Sequence, residues 1–247
     1  MRAFLTTTLL AAPMATAAIA DDVSYDVDGV EHTGYFASAQ DDDDGAEGLV
    51  LIVHDWNGID EYERGRADML AEEGYDAFVI DMYGADTEAG TVEQNRAATS
   101  ELTQDREKMR SLIEAGLEQA RGQSDAEGLV VMGYCFGGGV ALEMARSDFA
   151  GEADGFATFH GSLGTPEGQG YDASVAPILI MHGGGDTSVT LEDLGALMTE
   201  LEESGATYTA EVYAGAPHGF TEPGERYQER ADEESWDAFG DFLEERL

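Results

Sequence analysis

The sequence predicts an α/β protein in which a mainly parallel central sheet is covered by helices on both faces. Two observations support this prediction. Short, continuous apolar runs, typical of strands buried on both faces, alternate along the chain with longer segments of helical periodicity. Residue types that carry chemistry stand directly after several of these runs, where parallel sheets place their active sites. We therefore expect one α/β domain over residues 21–247.

The predicted elements follow one another in a regular order. Residues 23–27 and 30–36 flank an Asp28-Gly29 turn, which favours a hairpin. Further strands are predicted at residues 48–53, 75–80, 128–132, 156–159, 177–181 and 207–213. Helices are predicted at residues 60–73, 90–119, 139–146, 191–203 and 229–245.

The first twenty residues differ from the rest and predict a secretory signal peptide. A positive start at Met1-Arg2 precedes a largely apolar stretch, and Ala18-Ile19-Ala20 has the small-x-small pattern of a cleavage site. This stretch is too short and too weakly apolar for a stable membrane anchor. We expect cleavage after Ala20 and a periplasmic or secreted mature protein, with no membrane anchor.

The charge of the chain is extreme, with 52 acidic residues against 12 basic ones. Nucleic acid is excluded as a partner because the negatively charged protein would repel its phosphates. The acidic residues are spread over every segment, which indicates a surface adapted to high salt and hence a halophilic protein. The acidic run 41–44 lacks the spaced ligands of a calcium loop, so we predict a solvated loop there.

The only cysteine, Cys135, cannot form an intramolecular disulfide. It is therefore either a buried, inert residue or a free thiol with a chemical function. It lies between a predicted strand and a predicted helix, in Gly133-Tyr134-Cys135-Phe136-Gly137-Gly138-Gly139. This is the pattern of a nucleophile elbow, in which the glycines let strand and helix approach. The following helix N-terminus is expected to favour the thiolate, and Phe136 N–H to donate to an oxyanion. The alternative is a glycine-rich turn around a buried, inert cysteine.

Two residues after the elbow complete a candidate Cys-Asp-His triad. Asp186 follows one predicted strand, and His218 follows the next. An elbow nucleophile is followed in chain order by its acid and then by its histidine. The histidine would take the thiol proton, and the carboxylate would hold the imidazole in the required tautomer.

The other four histidines are weaker candidates. His32 lies in the first hairpin and is predicted at the surface, whereas His54, His160 and His182 each end a strand. For these three we predict structural hydrogen bonds, since none follows the acid. No pair has the helical spacing of a metalloprotease motif, so neither a metal nor another cofactor is predicted.

Together these residues resemble the dienelactone hydrolase family over nearly all of residues 21–247. The resemblance rests on an ordered set of motifs: Asp28-Gly29, Gly34-Tyr35, His54-Asp55-Trp56-Asn57-Gly58, Gly74-Tyr75, Asp81-Met82-Tyr83-Gly84, the elbow, Phe159-His160-Gly161, His182-Gly183 with Asp186, and His218-Gly219-Phe220. It implies an α/β-hydrolase fold, a monomer, and hydrolysis of small esters or lactones through an acyl-cysteine.

The resemblance also implies roles for single residues. Cys135 would be the nucleophile, Asp186 the acid and His218 the base. Trp56 N–H would be the second oxyanion donor beside Phe136 N–H. Asp55 stands where the family usually carries a glutamate that contacts the resting cysteine and helps to activate it, and it is one methylene shorter.

Substrate binding departs from the family pattern. Family members that cleave dienelactone hold its carboxylate with two arginines, and the matching positions here are Ala85 and Glu222. Tyr83 and Arg226 remain as candidates for contacting the substrate. Loss of both arginines on so acidic a chain argues against tight binding of a small anionic lactone.

Three functions are therefore open at the level of sequence. The first is a thiol hydrolase of esters or lactones of the dienelactone hydrolase type. The second is a broad carboxylesterase for neutral esters, favoured by the missing arginines. The third is a binding protein on a hydrolase scaffold, because a fold alone does not establish activity.

Overall fold

A computed structural model describes residues 20–40 and 45–247. The predicted signal peptide therefore lies outside the described residues except for Ala20, and the acidic run 41–44 lies wholly outside them. The strands are β1 (Ala20–Val27), β2 (Val30–Ala37), β3 (Leu49–Val53), β4 (Asp76–Ile80), β5 (Leu129–Tyr134), β6 (Gly155–Phe159), β7 (Ile178–Gly183) and β8 (Tyr208–Tyr213). The helices are α1 (Glu61–Glu72), α2 (Val92–Gln104), α3 (Arg106–Gln123), α4 (Phe136–Ala145), α5 (Leu191–Ser204) and α6 (Glu229–Arg246), with a short 3-10 helix at Asp148–Glu152.

The eight strands form one sheet in the order β1-β2-β4-β3-β5-β6-β7-β8. Strand β2 pairs antiparallel with both β1 and β4, and strands β3 to β8 are parallel to one another. The predicted α/β fold with a mainly parallel sheet is thus confirmed. Parallel strands end at the same edge, so the loops after β3, β5, β7 and β8 meet there.

Helices cover both faces of the sheet, as the apolar runs predicted. In β3, Leu49, Leu51 and Val53 pack into the core under α2–α5, whereas Val50 and Ile52 pack into the core under α1 and α6. Alternate side chains of a strand point to opposite faces, which explains why the run is apolar throughout. No helix of the described residues is long and apolar enough to cross a bilayer.

Two predicted helices have different limits in the structure. The single helix predicted at 90–119 is two helices, because Asp105 leaves helical geometry (φ −112°, ψ 83°) and its side chain accepts the Lys108 N–H to start α3. The helix predicted from residue 139 already begins at Phe136. The second difference matters for function, because it places the positive end of α4 directly beside Cys135.

The prediction that His32 lies at the surface is wrong. The residue is only 3% exposed, and its Nδ1 lies 2.9 Å from the carbonyl oxygen of Asp81. Its ring stacks on Tyr25, with 5.6 Å between centroids. The physical reason is that β2 lies between β1 and β4, so the hairpin is packed into the sheet rather than projecting from it.

Candidate active site

Cys135 occupies a strained turn between β5 and α4. Its backbone angles, φ 50° and ψ −109°, fall in a region that residues other than glycine rarely adopt. The neighbouring glycines are required by close backbone approach: a Cβ at Gly133 would lie 2.3 Å from the Gly137 carbonyl oxygen, and one at Gly137 would lie 2.2 Å from the Val53 carbonyl oxygen. The local sequence therefore forces the cysteine side chain out of the sheet edge.

Backbone hydrogen bonds hold this turn in place. Cys135 N–H donates to the Phe159 carbonyl at 3.1 Å, and the Cys135 carbonyl accepts from Ser162 N–H at 3.0 Å. The end of β6 and the loop after it thus anchor the residue on both sides, which offsets the strained dihedral angles.

The three residues of the predicted triad lie within hydrogen-bonding distance of one another. His218 Nε2 is 3.1 Å from Cys135 Sγ, and His218 Nδ1 is 2.8 Å from Asp186 Oδ2. The other oxygen of Asp186 accepts the backbone N–H groups of Ser188 and Val189, at 2.7 and 2.9 Å. In all of these bonds the Asp186 carboxylate is the acceptor. It therefore fixes the imidazole with its proton on Nδ1, and Nε2 faces the thiol.

A model of the dienelactone hydrolase family matches residues 33–247. The chain belongs to the dienelactone hydrolase family. A Salmonella typhimurium protein that carries the provisional name carboxymethylenebutenolidase is 26% identical over 208 residues, which cover 78% of this chain and 75% of that protein. An Escherichia coli protein with the same provisional name is 27% identical over 187 residues, covering 72% and 69% of the two chains.

Solved structures lead to the same family. A dienelactone hydrolase-like promiscuous phosphotriesterase from metagenomic libraries superposes with a TM-score of 0.84 at 25% identity, covering 94% of this chain and 99% of that one. A Klebsiella pneumoniae structure, provisionally assigned as a dienelactone hydrolase, superposes with a TM-score of 0.71 at 22% identity. The superposition covers 92% of this chain and 99% of that one, and it supports the fold. Membership in the family makes the chain a hydrolase of the ester and lactone type, rather than a binding protein on the same scaffold.

In this dienelactone hydrolase family member, burial opposes ionisation of the thiol. Burial is the main cause that raises the pKa of Cys135 to about 12, and the negative charges of Asp55 and Glu222 add to it. Two features lower that pKa, namely the Phe136 N–H, which bonds to the sulfur, and the charge of Arg226. Together they do not offset the effect of burial. Desolvation therefore outweighs the helix N-terminus in its effect on the pKa of this thiol.

A hydrogen-bonded histidine orders the loop after β3, which carries Trp56. His54 Nε2 accepts from Met82 N–H at 3.2 Å, so the ring proton is on Nδ1, which donates to the Asp55 carbonyl at 2.6 Å. Complete burial lowers the pKa of His54, in keeping with a neutral ring. The bond orients the Asp55–Trp56 peptide, whose N–H is the predicted oxyanion donor. His54 thus makes the structural hydrogen bonds that its position predicted.

Tyr83 supports the same loop from the other side. Its hydroxyl donates to the Trp56 carbonyl at 2.9 Å, and its ring lies at 6.1 Å from that of Phe136. The structure therefore brings Tyr83 to the site, but its hydroxyl proton is already used to hold the Trp56–Asn57 peptide.

Asp55 is buried next to a second carboxyl group that sequence reasoning missed. Its Oδ1 accepts Asn57 N–H at 2.7 Å, and its own N–H donates to Glu63 on α1 at 3.2 Å. Burial is the main cause that raises the pKa of Asp55 to about 7 and that of Glu63 to about 8. Among the described residues, no hydrogen bond joins Asp55 to Cys135 Sγ. Glu63 completes the capping box of α1 with Asp60, and the turn from β3 into α1 gives it Asp55 as a neighbour.

Glu222 and Arg226 form an ion pair close to the triad. Their closest atoms are 3.3 Å apart, and the Arg226 side chain is half exposed. Burial raises the pKa of Glu222, whereas the charges of Arg226 and His218 lower it. Arg226 is thus half exposed, and its charge is shared with Glu222.

The remaining histidines differ in their partners. His160 Nε2 lies 2.9 Å from Thr221 Oγ1, and the His160 ring meets that of His218 edge to face at 5.3 Å. Burial lowers the pKa of His182, whereas the Val189 backbone acts on its ring to raise it, and neither ring nitrogen has a closer partner within the described part of the chain. The predicted hydrogen bond is therefore well formed for His160 and weaker for His182. Over residues 20–40 and 45–247, no group of His, Cys and carboxylate side chains is arranged to hold a metal ion.

Proposed function

We propose that this hydrolase cleaves small carboxylic esters or lactones through an acyl-cysteine intermediate on Cys135. The observation that carries the proposal is the pair of contacts made by one imidazole: His218 Nε2 lies 3.1 Å from the thiol sulfur, and Nδ1 lies 2.8 Å from the Asp186 carboxylate. Such an arrangement lets one residue move the proton at the sulfur while the carboxylate stabilises the imidazolium.

The reaction then has two halves. His218 Nε2 takes the Sγ proton as the sulfur attacks the carbonyl carbon, and a tetrahedral oxyanion forms. The C–O bond breaks, and the imidazolium returns the proton to the departing oxygen, which leaves a thioester. A water molecule activated by the neutral His218 then releases the acid and restores the thiol. A thiol whose pKa is raised to about 12 needs such a base, because it does not ionise unaided at neutral pH.

The oxyanion would be held by the N–H groups of Phe136 and Trp56. Phe136 is the first residue of α4, so its N–H has no partner within the helix and carries the positive end of the helix dipole. Removal of one donor of this kind typically costs about 100- to 1000-fold in kcat.

The test is alkylation of the single cysteine. Purified residues 21–247 would be assayed in high salt on a 4-nitrophenyl ester during treatment with iodoacetamide. We expect activity to fall in step with alkylation, and Cys135→Ala to lose turnover while keeping its circular dichroism spectrum. Full turnover by the alkylated protein or by the alanine variant would show that another residue is the nucleophile.

A second candidate is a broad carboxylesterase for neutral esters, and Glu222 favours it. Its side chain lies beside the triad and pairs with Arg226, the one cationic candidate for substrate binding here. A substrate carboxylate would have to displace Glu222 from Arg226, whereas a neutral ester would not. Comparing kcat/KM for a neutral aryl ester and an anionic lactone decides between the two, and a clear preference for the lactone would exclude the broad carboxylesterase.

The N-terminal pattern supports a place of action outside the cytoplasm. We propose export by the signal peptide over residues 1–20 and activity in the periplasm or outside the cell. Recovery of protein that begins at Asp21 from an export-competent host would support this, and recovery of protein that still begins at Met1 would contradict it.

A further inference from the structure

A cavity lies beside the segment that follows His218. It has a volume of about 580 Å³ and lies between α1 and residues 221–227, and its lining includes neither Cys135 nor His218. Sites for small organic molecules commonly have volumes of about 300–1,000 Å³. The cavity is therefore large enough for a compound of one or two rings.

The walls of this cavity are apolar in a protein whose surface is otherwise strongly acidic. Tyr62, Met69, Pro223 and Tyr227 contribute to them. Within the described part of the chain, five large apolar side chains are exposed, and two of them line this cavity: Met69 at 36% and Tyr227 at 43%. Clustering of exposed apolar side chains at a concave site is a mark of ligand binding rather than of chance exposure.

The charges around the cavity define the class of ligand. Arg66 and Asp232 both line it and form an ion pair with each other, so neither is free to bind an opposite charge. Glu61 stands at the edge, and the chain as a whole carries a net charge of −40. Anions are repelled, and the apolar walls favour an uncharged molecule.

A chain of contacts joins this cavity to the imidazole of the triad. The Tyr62 hydroxyl, at the cavity wall, donates to Thr221 Oγ1 at 2.6 Å. The same oxygen lies 2.9 Å from His160 Nε2, and the His160 ring packs edge to face on His218. Glu222 directly follows Thr221, so a shift of this segment also moves a carboxylate at the triad.

We infer that this cavity is a second binding site, for an uncharged and mainly apolar organic molecule, and that its occupancy is coupled to His218 through Thr221 and His160. Binding itself goes beyond the proposed function and does not depend on it. Coupling rests on the proposed role of His218 and is measured separately.

Gly65 offers a way to fill the cavity without disturbing the fold. It lies within α1, lines the cavity, and has nothing within 4 Å of the position where a Cβ would stand. Gly65→Leu therefore places a side chain in the cavity and also replaces a poor helix former. Gly195→Leu is the matched control, because Gly195 also lies inside a helix with open space around it, in α5.

The binding experiment uses the uncharged fluorophore N-phenyl-1-naphthylamine, whose emission rises in apolar surroundings. We expect saturable binding to the wild-type protein, to Gly195→Leu and to Cys135→Ala, and at least tenfold weaker binding to Gly65→Leu. Absence of saturable binding to the wild-type protein, or equal affinity in Gly65→Leu, would overturn the assignment of the site. Loss of binding in Cys135→Ala would instead place the probe in the catalytic site.

Coupling is read from ester hydrolysis at saturating probe. We expect kcat or KM for a 4-nitrophenyl ester to change at least twofold in the wild-type protein and in Gly195→Leu, and to stay constant in Gly65→Leu. Binding without any change in kcat or KM would overturn the coupling and leave the binding site standing. A protein inactive on esters that still binds the probe would contradict the proposed function and not the site.

Discussion

Burial and a few single charges together decide how reactive Cys135 is. The helix end and the Phe136 N–H favour the thiolate, whereas burial, Asp55 and Glu222 oppose it, and the second group prevails. Asp55 differs from a permanent charge, because its own pKa is raised to about 7. The field at the sulfur therefore changes across neutral pH.

The change Asp55→Asn tests this balance at one atom. The amide keeps an oxygen that can accept the Asn57 N–H but removes a negative charge that appears as pH rises through about 7. We expect the pKa of Cys135 to fall, so that iodoacetamide alkylates the variant several-fold faster at pH 8 and hardly faster at pH 6. The measurement is the alkylation rate against pH, with the exposed Asp237→Asn as control. Slower alkylation than in wild type would establish Asp55 as an activator of the thiol.

Glu222→Gln tests whether the charge of Glu222 selects neutral over anionic substrates. The change frees Arg226 from its partner and removes a negative charge near the triad, so anionic substrates meet less repulsion. We expect KM for an anionic lactone to fall several-fold, while KM for a neutral 4-nitrophenyl ester changes less than twofold. An equal change for both substrates would show that Glu222 acts through the structure of the loop and not through its charge.

At the scale of elements, α4 is tied to its neighbours by a buried carboxylate. Glu143 is fully buried and pairs with Arg106 and Arg110 of α3 and with Arg146. Gln169 adds a hydrogen bond to the same carboxylate at 2.9 Å. This cluster therefore anchors the C-terminal end of α4, the end opposite to Phe136.

Glu143→Gln is expected to destabilise the protein by about 3 kcal/mol, because it leaves several arginines without their shared counter-charge. Urea unfolding followed by circular dichroism measures the change. The matched control is Glu234→Gln, which removes an exposed partner of Arg230 and is expected to have little effect. Similar losses in the two variants would show that the buried cluster has no special role.

For the whole molecule, the net charge of −40 is the dominant feature. Among the described residues, only a minority of the carboxylates are paired in salt bridges, so most repel one another across the surface. Salt shortens the range of this repulsion, from a Debye length of about 30 Å at 0.01 M to about 3 Å at 1 M.

We therefore expect the melting temperature to rise by about 10 °C between 0.01 and 1 M NaCl, because salt screens this repulsion. Differential scanning calorimetry measures it. Sucrose at matched osmolality is the control, because it strengthens apolar burial without screening charge. A melting temperature that rises equally in sucrose, or not at all in salt, would contradict adaptation to high salt.

Several features were determined by the sequence alone. Apolar runs broken by helical segments predict the parallel sheet, because a strand buried on both faces must be apolar throughout. The glycines around Cys135 predict the elbow, because no side chain fits where strand and helix touch. The order of Cys135, Asp186 and His218 predicts which residues meet, since parallel strands bring their ends to one edge.

Other features were decided only by the tertiary structure. Burial raises the pKa of the thiol, and burial depends on the elements packed around the elbow. Tyr62 meets Thr221 only because α1 packs against a loop far away in sequence, and Glu63 meets Asp55 only because of the way the chain turns from β3 into α1. Such contacts depend on the distance between elements, which local periodicity does not encode. For the same reason no sequence motif predicts the cavity beside α1.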